Sequence, residues 1–194
     1  MTDTITPAAT RDVNGITLPT TGTFALDRSH TQVGFVARHL MVSKVRGRFT
    51  DYEGKIVVAD DPSESSVEVI IQAASINTND VNRDNHVRTN DFLAVEEYPT
   101  LTFRSTKVEL SPRGAWKVHG DLTVRGVKRP IVLDAEFEGV IQDPWGYQRL
   151  GFTASAEIDR TEFGVSFNAA LETGGFVVSP KVKLEIEAEA VRQA

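Results

Sequence analysis

The sequence predicts an all-β protein, an eight-stranded antiparallel up-and-down barrel with one short helical segment between strands. Apolar residues alternate with polar ones in segment after segment from Phe24 to the C-terminus, each segment has the length of a single strand, and turn-forming clusters separate them. Strands with one apolar face leave exposed edges unless the sheet closes on itself, and an up-and-down barrel removes those edges. A two-sheet sandwich keeps the same alternation, so periodicity alone leaves that architecture open.

Residues 1–20, rich in Thr, Pro, Ala and Asp and without periodicity, are expected to form a mobile or loosely docked arm, leaving residues 21–194 as a single β-barrel domain. The opening strand is plainest in TQVGFVARHLM, where Thr31, Val33, Phe35, Ala37, His39 and Met41 share one face. The next, KVRGRFTDYEGKIVVA, changes apolar parity from Val45 and Phe49 to Tyr52, Ile56 and Val58, which predicts a bulge near Asp51. Further apolar rows follow in SVEVIIQAAS (Val67, Val69, Ile71, Ala73), TLTFRSTKVEL (Leu101, Phe103) and AWKVHGDLTV (Trp116, Val118, Leu122, Val124). IVLDAEFEGV (Ile131, Leu133, Ala135, Phe137) and LGFTASAEID (Leu150, Phe152, Ala154, Ala156, Ile158) continue the pattern. The last strand, KVKLEIEAEAV, sets Val182, Leu184, Ile186, Ala188 and Ala190 against a wet row of Lys181, Lys183, Glu185, Glu187 and Glu189.

Two stretches break the β pattern. NTNDVNRDNHVRTNDFLAVEEYP, residues 77–99, has few β-branched residues and many side-chain hydrogen bonders, and it predicts a helical lid or crossover with Asn90-Asp91 as a cap before Phe92-Leu93. TEFGVSFNAALETGGFVVS, residues 161–179, is a long irregular loop of the kind that often carries function.

A chain of 194 residues, 40% hydrophobic, buries one sizeable core. The net charge of -6 and the pI near 5.3 argue against a phosphate-backbone binder, so no nucleic-acid partner is expected. Without cysteine there are no disulfides, no thiol catalysis and no cysteine-ligated metal. The four histidines form no HExxH, HxH or HxxxH grouping, and GxSxG and GxxxxGK[ST] are missing, so no metal, serine-hydrolase or nucleoside-triphosphate chemistry is expected. The N-terminus lacks the charged and apolar regions of a secretory signal, and no stretch has 18 consecutive apolar residues; a soluble, cytoplasmic protein is expected.

A histidine in line with Val33, Phe35 and Ala37 is out of place in a core-facing row. His39 is either a neutral core imidazole bonded to a backbone carbonyl, or it stands where the strand nears a barrel rim and meets the polar end of a ligand whose tail lies along Phe35. In NRDNHVR, Asp84 and Arg88 are spaced for an i,i+4 ion pair on a lid surface, while Arg83 and His86 are placed to hold a polar head by charge-assisted hydrogen bonds. Val33, Phe35, Phe49, Phe92, Phe103 and Trp116 supply a candidate apolar lining. Two basic clusters, Arg38, Lys44, Arg46 and Arg48 in the first hairpin and Arg125, Lys128 and Arg129 around a later turn, are either solvated faces or patches that attract an anionic headgroup, as in a transient membrane contact.

LDRSHTQVGFVARHLMVSKVRGRF, NRDNHVRTNDFLAVEEYPTLTFRST and GDLTVRGVKRPIVLDAEFEG occur in this order and resemble the ordered motifs of the YceI-like family over roughly residues 23–192. The resemblance implies a lipocalin-like barrel that encloses a long apolar cavity and binds a polyisoprenoid or related amphiphilic lipid, with no catalytic residue or cofactor and with a homodimer as a compatible assembly. Many family members carry a secretion signal, which this sequence does not show, and Thr31 follows His30 where the family often has Ser. Strands of about eleven residues tilted about 40° give a barrel roughly 28 Å tall, deep enough for an extended lipid tail. The expected function is non-enzymatic lipid binding, storage or transport. The alternatives are an enzyme acting on a small apolar substrate with His39 or His86 as base, a haem-binding barrel with an axial histidine, and a structural barrel filled by its own side chains.

Overall fold

A computed structural model describes residues 9–13, 15–110, 115–169 and 177–194. The chain builds β1 (Thr10–Val13), β2 (Ile16–Pro19), β3 (Gly22–Leu26), β4 (Gln32–His39), β5 (Ser43–Phe49), β6 (Tyr52–Val58), β7 (Ser66–Gln72) and β8 (Ile76–Asn77). After the helix α1 (Val81–Arg88) come β9 (Thr100–Leu110), β10 (Trp116–Val124), β11 (Val127–Gln142), β12 (Gln148–Asp159) and β13 (Val178–Arg192).

The sheet closes into the expected antiparallel barrel. Its ring runs β3, β6, β7, β9, β10, β11, β12 and β13, and β13 returns to β3. The remaining strands prolong members of that ring: β4 follows β3 after the turn at Asp27–Thr31, β5 runs into β6 across Thr50–Asp51, and β8 follows β7 after a 3-10 turn at Ala73–Ser75. The parity change in the second segment is thus an interruption at Thr50–Asp51, where Thr50 N–H donates to Ser75 O at 3.2 Å. The interruption at Asp27–Thr31 places His30 in a turn rather than on one strand with His39. Each pair of segments remains one strand of eight.

The alternating rows point inward as their parity requires. One departure is Val108, buried although Phe103 sets the opposite parity, because the β9–β10 register shifts at His119/Gly120 and turns the rest of β9 over. Phe24, Ile56, Leu150 and Ala190 form a separate compact cluster at the end of the barrel where β13 finishes.

Part of the segment expected as an arm is built structure. Thr10–Pro19 is an antiparallel hairpin, β1 against β2, seated across that same end, with Leu18 only 6% exposed in the core and Val13 and Ile16 packed beside it. Arg11 fixes it by donating to the carbonyls of Ala59 and Asp60. Its two strands of four residues are too short to show a period in the sequence; residues 1–8 lie outside the described residues.

Arg149 ties this end together. Its guanidinium bonds Asp27 at 2.7 Å, Asp143 at 2.6 Å and Glu189 at 2.5 Å, joining the turn after β3, the β11–β12 turn and β13. Asp27 also accepts the Ser29 hydroxyl, and this bond, with those from His30 and Arg149, outweighs burial and holds its carboxyl far below the usual carboxylate range.

Candidate functional site

The barrel is hollow. A cavity of about 530 Å³ runs along its axis, within the range of small-molecule sites. Val33, Phe35, Phe49, Val69, Leu133, Phe137 and Leu184 all point inward yet are only partly buried, because their inner surfaces face open space rather than one another. This settles the filled-or-hollow question that inward apolar residues leave open in the sequence. At the closed end the lining includes Leu18 and Pro19 of the hairpin; at the other it reaches α1 and His39, the last residue of β4.

All nine residues expected to contact a ligand line this one cavity: Val33, Phe35, His39, Phe49, Arg83, His86, Phe92, Phe103 and Trp116. Phe35 and Phe49 lie side by side with ring centroids 6.0 Å apart. The lining is apolar along its length, and its ionisable members are cationic or imidazole: Arg11, Arg38, His39, Arg83, His86 and Arg160. Among the described residues no aspartate or glutamate lines it. Arg38, Arg83 and His86 are the exposed members of the lining, so the cavity meets solvent at the α1 end.

His39 is the last residue of β4, opposite Val178 of β13 and Ser43 of β5. Its ring lines the cavity at the rim and makes no hydrogen bond among the described residues; the core-histidine reading required a bond to a backbone carbonyl. Met41, expected on the same inward face, is 56% exposed, because β4 ends at His39 and the chain turns.

The helix forms earlier than expected. Asp80, not Asn90-Asp91, caps α1, its carboxylate accepting from Arg83 N at 2.9 Å, and residues 89–97 are turns. Nor do Asp84 and Arg88 pair. Asp84, 7% exposed, accepts the Thr78 N–H at 2.8 Å and the Thr78 hydroxyl at 2.6 Å, while Arg88 donates to the carbonyls of Ala74 and Ile76. Arg83 Nε donates to the same Thr78 hydroxyl at 2.7 Å and Nη2 to Thr78 O at 2.8 Å. This network anchors α1 to the end of β8 and holds the Arg83 guanidinium at the rim.

Beside it stands an aromatic cluster. His86 meets Phe92 and Phe167 edge-on, each at 5.1 Å between centroids, and its Nε2 donates to Asp91 at 2.8 Å. Phe167 belongs to the loop after β12 and was not among the expected lining residues; nor were Phe163 and Val165, which bury beside it. In the same loop Arg160 is 6% exposed and donates to the carbonyls of Val165, Val178 and Ser179. Burial pushes its pKa below the usual arginine value.

The second basic cluster serves the frame. Arg125 donates to Phe92 O at 2.9 Å, and Lys128 faces Asp121. At the opposite end Asp27, His30 and Glu189 lie within 4.8 Å of one another, a spacing a metal ion accepts, but both carboxylates already take Nη1 of Arg149.

The YceI-like domain family matches residues 24–190. A UPF0312 protein of Staphylococcus aureus is 39% identical over 171 residues, covering 86% of this chain and 95% of its own, and one of Vibrio cholerae is 36% identical over 168 residues, covering 85% and 84%. Among solved structures, a YceI protein of Campylobacter jejuni is similar at 35% identity and a TM-score of 0.69, covering 81% of this chain and 90% of that one. Burkholderia cenocepacia BcnA (18%, TM-score 0.74; 84% of this chain and 98% of that one) and a polyisoprenoid binding domain from Saccharophagus degradans (17%, 0.64; 88% and 98%) share the fold.

Proposed function

Taking as premise that the chain belongs to the YceI-like family, we propose that it binds and carries, without catalysis, a polyisoprenoid or related amphiphilic lipid, with the tail in the barrel and the polar head at the α1 end. The observation that carries this reading is the polarity of the cavity. It is apolar along its length and closed at one end by Leu18 and the hairpin, whose Arg11 is taken up by the carbonyls of Ala59 and Asp60, while at the other end it carries Arg38, Arg83 and Arg160. The polyisoprenoid named for the Saccharophagus degradans domain supports the choice of lipid.

Energetics favour a long tail. A buried methylene contributes about 0.8 kcal/mol, and immobilising a ligand costs on the order of 4–15 kcal/mol. Affinity therefore emerges only once most of the barrel is filled, and it rises with chain length until the closed end is reached. A catalytic use of the cavity needs a second poised group beside His39 or His86: His39 has no hydrogen-bond partner among the described residues, and the acid that holds His86, Asp91 at 2.8 Å, stands outside the lining.

Native mass spectrometry of freshly purified protein, followed by organic extraction, tests the proposal. A stoichiometric adduct with the mass of a polyprenyl or isoprenoid-quinone species is expected. No adduct, together with no uptake of added polyprenol, overturns it.

A further inference from the structure

The turn between β4 and β5 is built against local preference. Leu40 has φ 52° and Met41 φ 62°, the left-handed pair of a tight hairpin turn that Asn-Gly or Asp-Gly adopts at least cost. Leu-Met in this place is strained, and the result is an apolar tip held outward: Leu40 is 37%, Met41 56% and Val42 84% exposed. Behind the tip stands a cationic collar. Arg38 lies directly opposite Lys44, and Arg46 and Arg48 follow along the same face of β5. Like charges placed opposite one another destabilise a hairpin, and none of the four has an ion-pair partner among the described residues. Glu185, across Gly34 on β13, is held by Lys183 at 2.9 Å.

The hairpin also stands at the open end of the cavity. Leu40 N–H donates to Val177 O at 2.9 Å, Val177 and His39 line the cavity, and Arg38 reaches its rim. In a chain of net charge -6, four cations within eleven residues give the molecule a positive pole at its mouth.

We propose that the β4–β5 hairpin docks the open end of the barrel onto an anionic lipid bilayer, with Leu40, Met41 and Val42 entering the acyl boundary and Arg38, Lys44, Arg46 and Arg48 meeting the phosphates. The proposal rests on the carrier reading, since docking presents the cavity mouth to the membrane from which an amphiphilic lipid is drawn. Apolar insertion and cationic attraction act together, as in other interfacial anchors, and neither suffices alone for lasting attachment.

Sedimentation with sucrose-loaded vesicles of phosphatidylcholine, with and without phosphatidylglycerol, at low and high salt tests the docking. Wild type is expected to sediment with the anionic vesicles at low salt and to stay in the supernatant with pure phosphatidylcholine. Met41→Asp with Val42→Asp should lower partitioning at least tenfold, and Lys44→Gln and Arg46→Gln about fivefold each; all these positions are exposed, and circular dichroism checks the fold. Wild type that ignores anionic vesicles, or tip variants that bind as well as wild type, overturns the docking. So does tip-dependent self-association in the ultracentrifuge without vesicle binding, which would make a second copy the partner. Polyprenol uptake from detergent, measured on the same samples, separates the two readings: uptake without vesicle binding removes only the docking, and vesicle binding without uptake removes the carrier.

Discussion

The ring of Phe35 lies over Gly47 of the neighbouring strand so closely that a β-carbon at position 47 would overlap it, with Phe35 Cε1 at 2.7 Å and Thr78 Cγ2 at 2.9 Å. Phe103 covers Gly120 in the same way. The bare backbone of one strand thus leaves room for an aromatic ring of its neighbour where a side chain would otherwise stand.

Gly47→Ala is therefore expected to drive the Phe35 ring inward and to cost about 1–3 kcal/mol by overpacking. Urea unfolding and polyprenol capacity should both fall. The stability cost should shrink in a Phe35→Ala background, and a double-mutant cycle with no coupling would show that the ring is not what Gly47 accommodates.

His39→Leu is expected to weaken binding of a polar-headed isoprenoid severalfold and to leave a plain hydrocarbon of the same length unaffected. Competition against a fluorescent probe measures both. Equal effects on the two ligands would remove His39 from head recognition.

Arg149→Met should destabilise the protein by about 1.5–3 kcal/mol at neutral pH, because it strips three carboxylates of a charged donor. Asp27 is depressed below its ordinary value of 3.8, so its contribution is fully present above that pH and is lost as pH falls through the lower folded value. The gap between wild type and variant should accordingly narrow below about pH 4. A pH-independent gap in thermal unfolding would assign the loss to packing alone.

Leu18→Ala is expected to cost about 2 kcal/mol, the low end for a buried leucine because the adjoining cavity lets the site relax. It also loosens the closed end, so release of a preloaded fluorescent lipid should quicken severalfold. Unchanged release with lowered stability would limit the hairpin to a structural part.

Period-2 patterning was enough to set Val33, Phe35, Phe49, Phe103 and Trp116 on one inner surface, because a half-buried strand enforces its alternation residue by residue. It also put His39 in the inward row, leaving core and rim as alternatives. The cap of α1 was not legible in the same way. Residues 77–91 contain many Asn and Asp side chains able to cap, and the choice of Asp80 accompanies a tertiary event, the capture of Asp84 by Thr78 at the end of β8. Leu18 was hidden for the opposite reason, in strands too short to show a period. Phe167 reaches the cavity from an irregular loop, where no periodicity marks which side chains turn inward.

The last strand gives the chain a timetable. β13 bonds β12 along eleven residue pairs on one side and β4 and β3 on the other, so no closed lumen exists until residues 178–192 have left the ribosome. Up to that moment the nascent sheet offers β12 on one flank and β3 and β4 on the other as unpaired edges, the surfaces most prone to aggregate. Whatever enters the lumen can do so only after synthesis is complete, and a chain truncated before Val178 would yield an open, aggregation-prone sheet instead of a weakened barrel.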